Sequence, residues 1–230
     1  MRQRRHAAGR ILVRVVLASF GAGTPVTGQQ AVGPTATGEG GLAATLGRAA
    51  IARDTRRDSA RYDDTFRKYT KRYFGVGFDW RIFKAQGMAE SELNPNARSW
   101  VGARGIMQLM PSTFQAIQSK RPEFQSIDDP EWNIAAGIMH DRYLWRRWER
   151  DVGETERRHF MFASYNAGDG TIARACGVAR AAQLDQSHWT SIEQVAPAVQ
   201  KWRYRETLGY VRKIEQNYAR LRNGRRPVGR

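Results

Sequence analysis

The chain has 230 residues, a single cysteine, four histidines and a formal charge of +16 at neutral pH. That length holds one domain of about 140–150 residues plus tails, enough to bury a real core. One cysteine (Cys176) excludes a disulfide-stapled scaffold, and His6, His140, His159 and His188 show no paired ligand spacing, so neither a metal nor another cofactor is expected.

Residues 1–28 read as a secretory signal peptide or a basic N-terminal segment. Arg2, Arg4, Arg5, Arg10 and Arg14 precede the short apolar run Val15–Ala22, and small residues follow. Arg14 interrupts the apolar stretch after Ile11-Leu12-Val13, which keeps a plain basic tail open as the alternative. No run approaches the ~20 apolar residues of a membrane-spanning helix. Residues 29–41 hold Gly, Thr and Pro with almost no large apolar side chain, the composition of a flexible, disordered linker. Residues 42–76 form an N-terminal helical extension. Within it Phe66, Tyr69 and Tyr73 fall at helical spacing and give it a face to dock on the domain that follows.

The main folded domain is expected over residues 77–222, with a basic tail at 223–230. Asp79 is a good N-cap for a helix over Asp79–Leu93, and Asn94-Pro95 supplies a stop. Phe83, Gly87 and Glu90 share one face of that helix, while Glu92 points roughly the other way. One carboxylate therefore heads inward and its neighbour toward water. From position alone Glu90 is open to two readings, a salt-bridged or capping acid and a proton-transfer group.

A loop with Asn96, Ser99 and Gly102 leads to Gly105-Ile106-Met107-Gln108. Gly105 lets backbone pass close to a ligand, and Gln108 offers a donor and an acceptor. Helices follow over Ser112–Gln118, Asn133–Arg150, Glu154–Ala167, Gly170–Ala181 and Trp202–Asn223, with Gly168-Asp169-Gly170 as a break. Tyr165-Asn166 places a phenol and an amide side by side at a helix end. No alternating stretch is long enough for a central sheet, so the fold class is mainly α.

Glu90-Ser91, Gly105-Ile106-Met107-Gln108 and Tyr165-Asn166-Ala167-Gly168 resemble, in order and spacing, the three signatures of the lytic transglycosylase (SLT) domain, glycoside hydrolase family 23. Asn94-Pro95-Asn96-Ala97, Asp129-Pro130 with Asn133-Ile134 and Gly137, and Glu206-Thr207-Leu208-Gly209-Tyr210-Val211 agree with it. The resemblance covers Phe78 to Ile214, and Asp79-Trp80-Arg81 looks most like the membrane-bound, F-type branch. It implies a lysozyme-like helical domain and cleavage of the MurNAc–GlcNAc bond of peptidoglycan glycan strands. Glu90 would be acid and then base, and the MurNAc 6-hydroxyl would attack its own anomeric carbon to leave a 1,6-anhydro end. An intramolecular nucleophile has a high effective concentration, so one carboxylate is physically sufficient.

By the same resemblance Ser91 orients Glu90 or bonds near the cleaved sugar, and Met107 and Gln108 line the groove. Tyr165 bonds or packs against Glu90, and Asn166 holds N-acetyl or hydroxyl groups. Trp100, Trp145 and Trp148 are open to sugar stacking or to a core role, the latter favoured for the helical pair Trp145 and Trp148. Ser164, where the family usually has Ala, and Phe114, where a small residue often stands, are departures that bear on subsite shape. A water-using, lysozyme-like muramidase and a non-catalytic wall-binding module are the alternative functions.

Charge divides the chain unevenly. Residues 1–76 carry 14 Lys/Arg against 5 Asp/Glu, residues 77–200 carry 14 against 15, and residues 201–230 carry 10 against 2. The basic flanks suit anionic wall polymers or lipid. No nucleic-acid motif accompanies them, so nucleic acid is not the expected partner. Cell-envelope or secretion-machinery proteins are further candidate partners. The expected location is the bacterial cell envelope, periplasmic or secreted, with membrane association left open.

Overall fold

A computed structural model describes residues 60–224. The expected signal peptide, the linker, most of the 42–76 extension and the end of the basic tail lie outside the described residues. The described residues from Thr65 onward lie in one compact unit, which carries the site described below.

Eight α-helices are described: α1 Asp63–Phe74, α2 Arg81–Ser91, α3 Pro111–Gln118, α4 Pro130–Arg147, α5 Glu154–Ala167, α6 Asp169–Ala181, α7 Trp189–Val195 and α8 Tyr204–Asn223. A 3₁₀ turn, Ala196–Ala198, follows α7. Among the described residues the only β pairing is a pair of isolated bridges, Arg98 with Arg104 and Arg104 with Leu109. The mainly α reading holds.

The helix boundaries show where the sequence reading slipped. Helix α2 starts at Arg81 rather than Asp79, with Trp80 and not Asp79 at the N-cap; Asp79, one residue further out, still accepts from the Arg81 N–H through Oδ1 at 3.1 Å. The other end comes earlier than Asn94-Pro95. Glu92 and Leu93 turn left-handed (φ 56° and 65°), and the Leu93 N–H returns to the Gly87 carbonyl. The expected start of α4 at Asn133 is also corrected. Asp129 takes the N–H groups of Glu131 and Trp132 at 2.8 and 3.0 Å, and Pro130 occupies the first turn, where its missing N–H costs nothing. Gly168 alone breaks α5 from α6, and α7 was not anticipated.

α1 docks as its aromatic face suggested. The Tyr69 hydroxyl reaches Glu131 of α4 at 2.8 Å, and the Phe74 ring lies against Phe78, Phe83 and Trp145. Trp145 and Trp148 are buried, and Trp148 Nε1 donates to Ser164 Oγ at 2.9 Å. Ser164 thus serves packing rather than a subsite, and Phe114 is likewise buried, against Phe124. Trp100 is 75% exposed.

The pairing that positions the site is α2 against α8. Tyr210, Lys213 and Asn217 sit one helical turn apart on α8 and run antiparallel along α2. They donate to Glu90 Oε1, the Ala89 carbonyl and the Ala85 carbonyl respectively. The residue after Asn217, Tyr218, donates its hydroxyl to Asp79 Oδ2 at 3.0 Å.

Candidate active site

Glu90 sits in the last turn of α2 and is only 8% exposed. Its Oε1 accepts a 2.6 Å bond from the Tyr210 hydroxyl, and its Oε2 is buried with no hydrogen-bond partner. Burial pushes the carboxyl up to about 8, against the opposing pull of the Tyr210 bond and the Lys213 charge. Near neutral pH the group holds its proton, which is the state required of an acid. Glu92 is exposed.

The loop facing Glu90 is clamped from three helices. Ser91 Oγ donates to the Ile106 carbonyl at 2.8 Å. The Tyr165 hydroxyl of α5 donates to the Met107 carbonyl at 2.8 Å. Asn133 of α4 accepts from the Met107 N–H at 2.8 Å and donates to the carbonyls of Arg104 and Ile127, both at 2.9 Å. Gly105 has φ +74°, and a side chain there would meet the Asn133 amide at 2.5 Å. Gly137 leaves room for Met107, whose Cγ would lie 2.7 Å from any Cβ at that position.

Several expected partnerships are therefore redrawn. The hydroxyl that holds Glu90 belongs to Tyr210, while Tyr165 and Ser91 hold the loop opposite it. Met107 is fully buried, and its backbone, gripped on both sides, is the part the site uses. Gln108 is left-handed (φ 44°), and its Nε2 donates to the carbonyls of Ala97 and Gly105. Asn166 is held through Oδ1 by Thr207 Oγ1 at 2.8 Å, and Thr207 in turn accepts from Trp202 Nε1 at 3.0 Å. That chain fixes the amide so that Nδ2, a buried donor with no partner, is its free end.

Sequence reasoning missed Tyr210, Thr207, Gln86 and Asp141 as site residues. Asp141 is completely buried on α4, and its carboxyl is pushed well above the usual range, first by burial and further by the charge of Glu90. The signal was there: Ile134, Ile138, Asp141 and Trp145 share one helical face, so an acid stands at a core position. His140 beside it is pushed down to about 4 by burial and is neutral at working pH. Cys176 is buried and its thiol is raised to about 11, which leaves it inert near neutral pH. Among the described residues no group of His, Cys, Asp or Glu is placed to hold a metal.

Any reaction that draws a proton from Glu90 should lose rate as pH rises through about 8. The stability sign is the same. Between its ordinary value and about 8 the folded chain binds a proton that the unfolded chain has released, so stability falls as pH rises through that window. The expected slope amounts to a few kcal/mol, roughly, across it. Tyr210→Phe removes a bond that favours the carboxylate, so the alkaline limb should move to higher pH while turnover drops. A limb that moves down, or stays, contradicts this placement of Tyr210.

The Transglycosylase SLT domain family matches residues 65–187 of the chain. A membrane-bound lytic murein transglycosylase F from Shewanella pealeana is 34% identical over 150 residues, covering 65% of this chain and 29% of that protein. Among solved structures, the 70 kDa soluble lytic transglycosylase of Escherichia coli superposes with a TM-score of 0.55 at 30% identity, over 71% of this chain and 24% of that one. A complex of the 70 kDa soluble lytic transglycosylase with bulgecin A aligns with a TM-score of 0.55 at 28% identity, again over 71% and 24%. The chain thus spans about a third of the length of such a curated relative and about a quarter of these solved chains.

Proposed function

Because the chain belongs to the Transglycosylase SLT domain family, we propose that it is a peptidoglycan lytic transglycosylase. It cleaves the MurNAc–GlcNAc β-1,4 bond without water and leaves 1,6-anhydro-MurNAc ends. The observation that carries this reading is a single carboxyl, Glu90, protonated near neutral pH and steadied by Tyr210. The hydrolytic route of most glycosidases uses a second, ionised carboxylate as base or nucleophile. The other buried carboxyl near Glu90, Asp141, is pushed further up than an ordinary acid and is fully enclosed. It has neither the charge nor the access for that work.

In the first half-reaction the Glu90 proton goes to the glycosidic oxygen as its bond to the MurNAc anomeric carbon breaks. The 6-hydroxyl oxygen then bonds that carbon and gives its proton back to Glu90, so the enzyme ends as it began. Oε1 stays on Tyr210, and Oε2, the atom without a partner in the protein, is the one that exchanges the proton.

Asn166 Nδ2 is aimed at a substrate carbonyl or hydroxyl. Asn166→Ala should lower kcat/KM about ten- to hundred-fold, the worth of one bond of ~1–3 kcal/mol to a buried partner. Unchanged kcat/KM would remove Asn166 from the site. Ser91, Met107, Gln108 and Tyr165 act on substrate through the loop and the backbone they hold in shape.

The cell envelope of a bacterium is the place where such a substrate lies. Among the described residues no helix is long and apolar enough to cross a membrane. The deciding experiment is digestion of insoluble peptidoglycan followed by mass analysis. Anhydro ends support the proposal, reducing ends mean a muramidase, and no new ends mean a binding module. Bulgecin A, held by one solved relative, is a ready ligand for titrating the groove.

A further inference from the structure

One helical turn before Glu90, Gln86 is completely buried and faces the equally buried Asp141 of α4. Gln86 Nε2 donates to Asp141 Oδ1 at 3.3 Å. The other oxygen of each group, Gln86 Oε1 and Asp141 Oδ2, is buried with no partner. Two enclosed acceptors without a donor, on groups already joined by one hydrogen bond, make a costly arrangement, because neither keeps the hydrogen bonds it had in water. A single proton satisfies both.

We propose that Asp141 is a neutral carboxylic acid whose Oδ2–H donates to Gln86 Oε1, closing a cyclic acid–amide pair, and that this pair is a positioning device which keeps the Gln86 amide off Glu90. The inference rests on Glu90 being the acid and base. Gln86 and Glu90 are four residues apart on one helix and therefore neighbours on its surface. Glu90 Oε2 has no partner in the protein. A Gln86 N–H released from Asp141 has that open acceptor one helical turn away. A donor on that oxygen favours the carboxylate and drains the acid of its proton. Asp141 holds the amide in the ring and so leaves Glu90 with only the Tyr210 bond.

The groups around the pair leave the proton in place. On α2, Lys84 has its ammonium 6.0 Å over the Trp80 ring, and Glu90, once it ionises at higher pH, adds negative charge that disfavours a second carboxylate. On α4, His140 is neutral. Tyr165 on α5 and Tyr210 on α8 are themselves held well above the ordinary phenol range, chiefly by burial, and donate to the Met107 carbonyl and to Glu90 respectively. Lys213 on α8 donates to the Ala89 carbonyl.

The first test does not use activity. An infrared difference spectrum of the full chain against Asp141→Asn at neutral pH should show the loss of a protonated-carboxyl carbonyl band. Loss of carboxylate bands in its place overturns the proposal. The second test is the pH–rate profile. Asp141→Leu frees the Gln86 amide, so the alkaline limb should move down by about one unit, a tenfold loss at a fixed pH above it. Asp141→Asn rebuilds the ring as an amide pair and should keep the limb where it is. Gln86→Leu added to Asp141→Leu should return the limb toward its original position. A limb that Asp141→Asn displaces downward, as removal of an ionised neighbour would, or that Asp141→Leu leaves in place, also overturns it. If Asp141→Leu does not fold, the infrared spectrum and Asp141→Asn still decide. Turnover by a Glu90→Gln variant would instead overturn the catalytic reading and leave the infrared result standing.

Discussion

Glu90→Gln should abolish release of anhydro-muropeptides from insoluble peptidoglycan while the chain stays folded. The amide can neither give a proton to the glycosidic oxygen nor take one from the attacking hydroxyl. Its shape is nearly that of the acid, and it still accepts from Tyr210 on its oxygen. A buried group that resists ionisation is replaced by one that never ionises, so the variant should lose the share of the fall in stability between about 5 and 8 that Glu90 contributes, while the share from Asp141 remains. Glu92→Gln, at an exposed position beyond the helix end, should be close to neutral. Released products would be counted for both variants against wild type, with circular dichroism as the folding control. Substantial release by Glu90→Gln, or a loss with Glu92→Gln as deep as with Glu90→Gln, would sink the one-carboxylate mechanism.

Asn133→Ala should be the most damaging substitution away from the carboxyl. One side chain answers three backbone groups: the Met107 N–H and the carbonyls of Arg104 and Ile127. It is 1% exposed, so water cannot replace what is lost. Orphaning buried groups at ~1–3 kcal/mol each, with partial relief as the loop relaxes, puts the cost at about 3–5 kcal/mol. Urea unfolding measures the stability, and digestion measures the second effect, because the strand from Arg104 to Met107 loses its register opposite Glu90. A loss under 1 kcal/mol would mean that the loop is held chiefly by Ser91 and Tyr165.

The helices and the inward face of Glu90 were legible in the sequence because both are local. Spacing along one helix put Glu90 on a face with Phe83 and Gly87 and sent Glu92 to water, and the structure agrees. Cap chemistry at Asp129 was legible too, although the expected start at Asn133 overlooked it. What spacing cannot say is which hydroxyl from another helix reaches which acceptor. Tyr165 and Tyr210 are both fully buried phenols, and only the approach of α8 to α2 gives Glu90 to Tyr210. Gln108 reads as a substrate-facing amide until its left-handed backbone turns its Nε2 back onto its own loop. The Gln86–Asp141 pair was hidden for the same reason, since each residue looks like an isolated exception to an apolar face.

The antiparallel contact of α2 with α8 also sets when in the life of the chain Glu90 becomes reactive. Tyr210, Lys213, Asn217 and Tyr218 grip partners that lie 120 to 139 residues earlier in the sequence. Closing loops of that length comes late, because the entropy of bringing the ends together must be spent before the contacts return anything. Until α8 lands, Glu90 is an ordinary solvated side chain, ionised at neutral pH and useless as an acid. In a nascent or unfolded chain the Glu90 carboxyl is therefore ionised near neutral pH, and it takes up its proton only when α8 has docked.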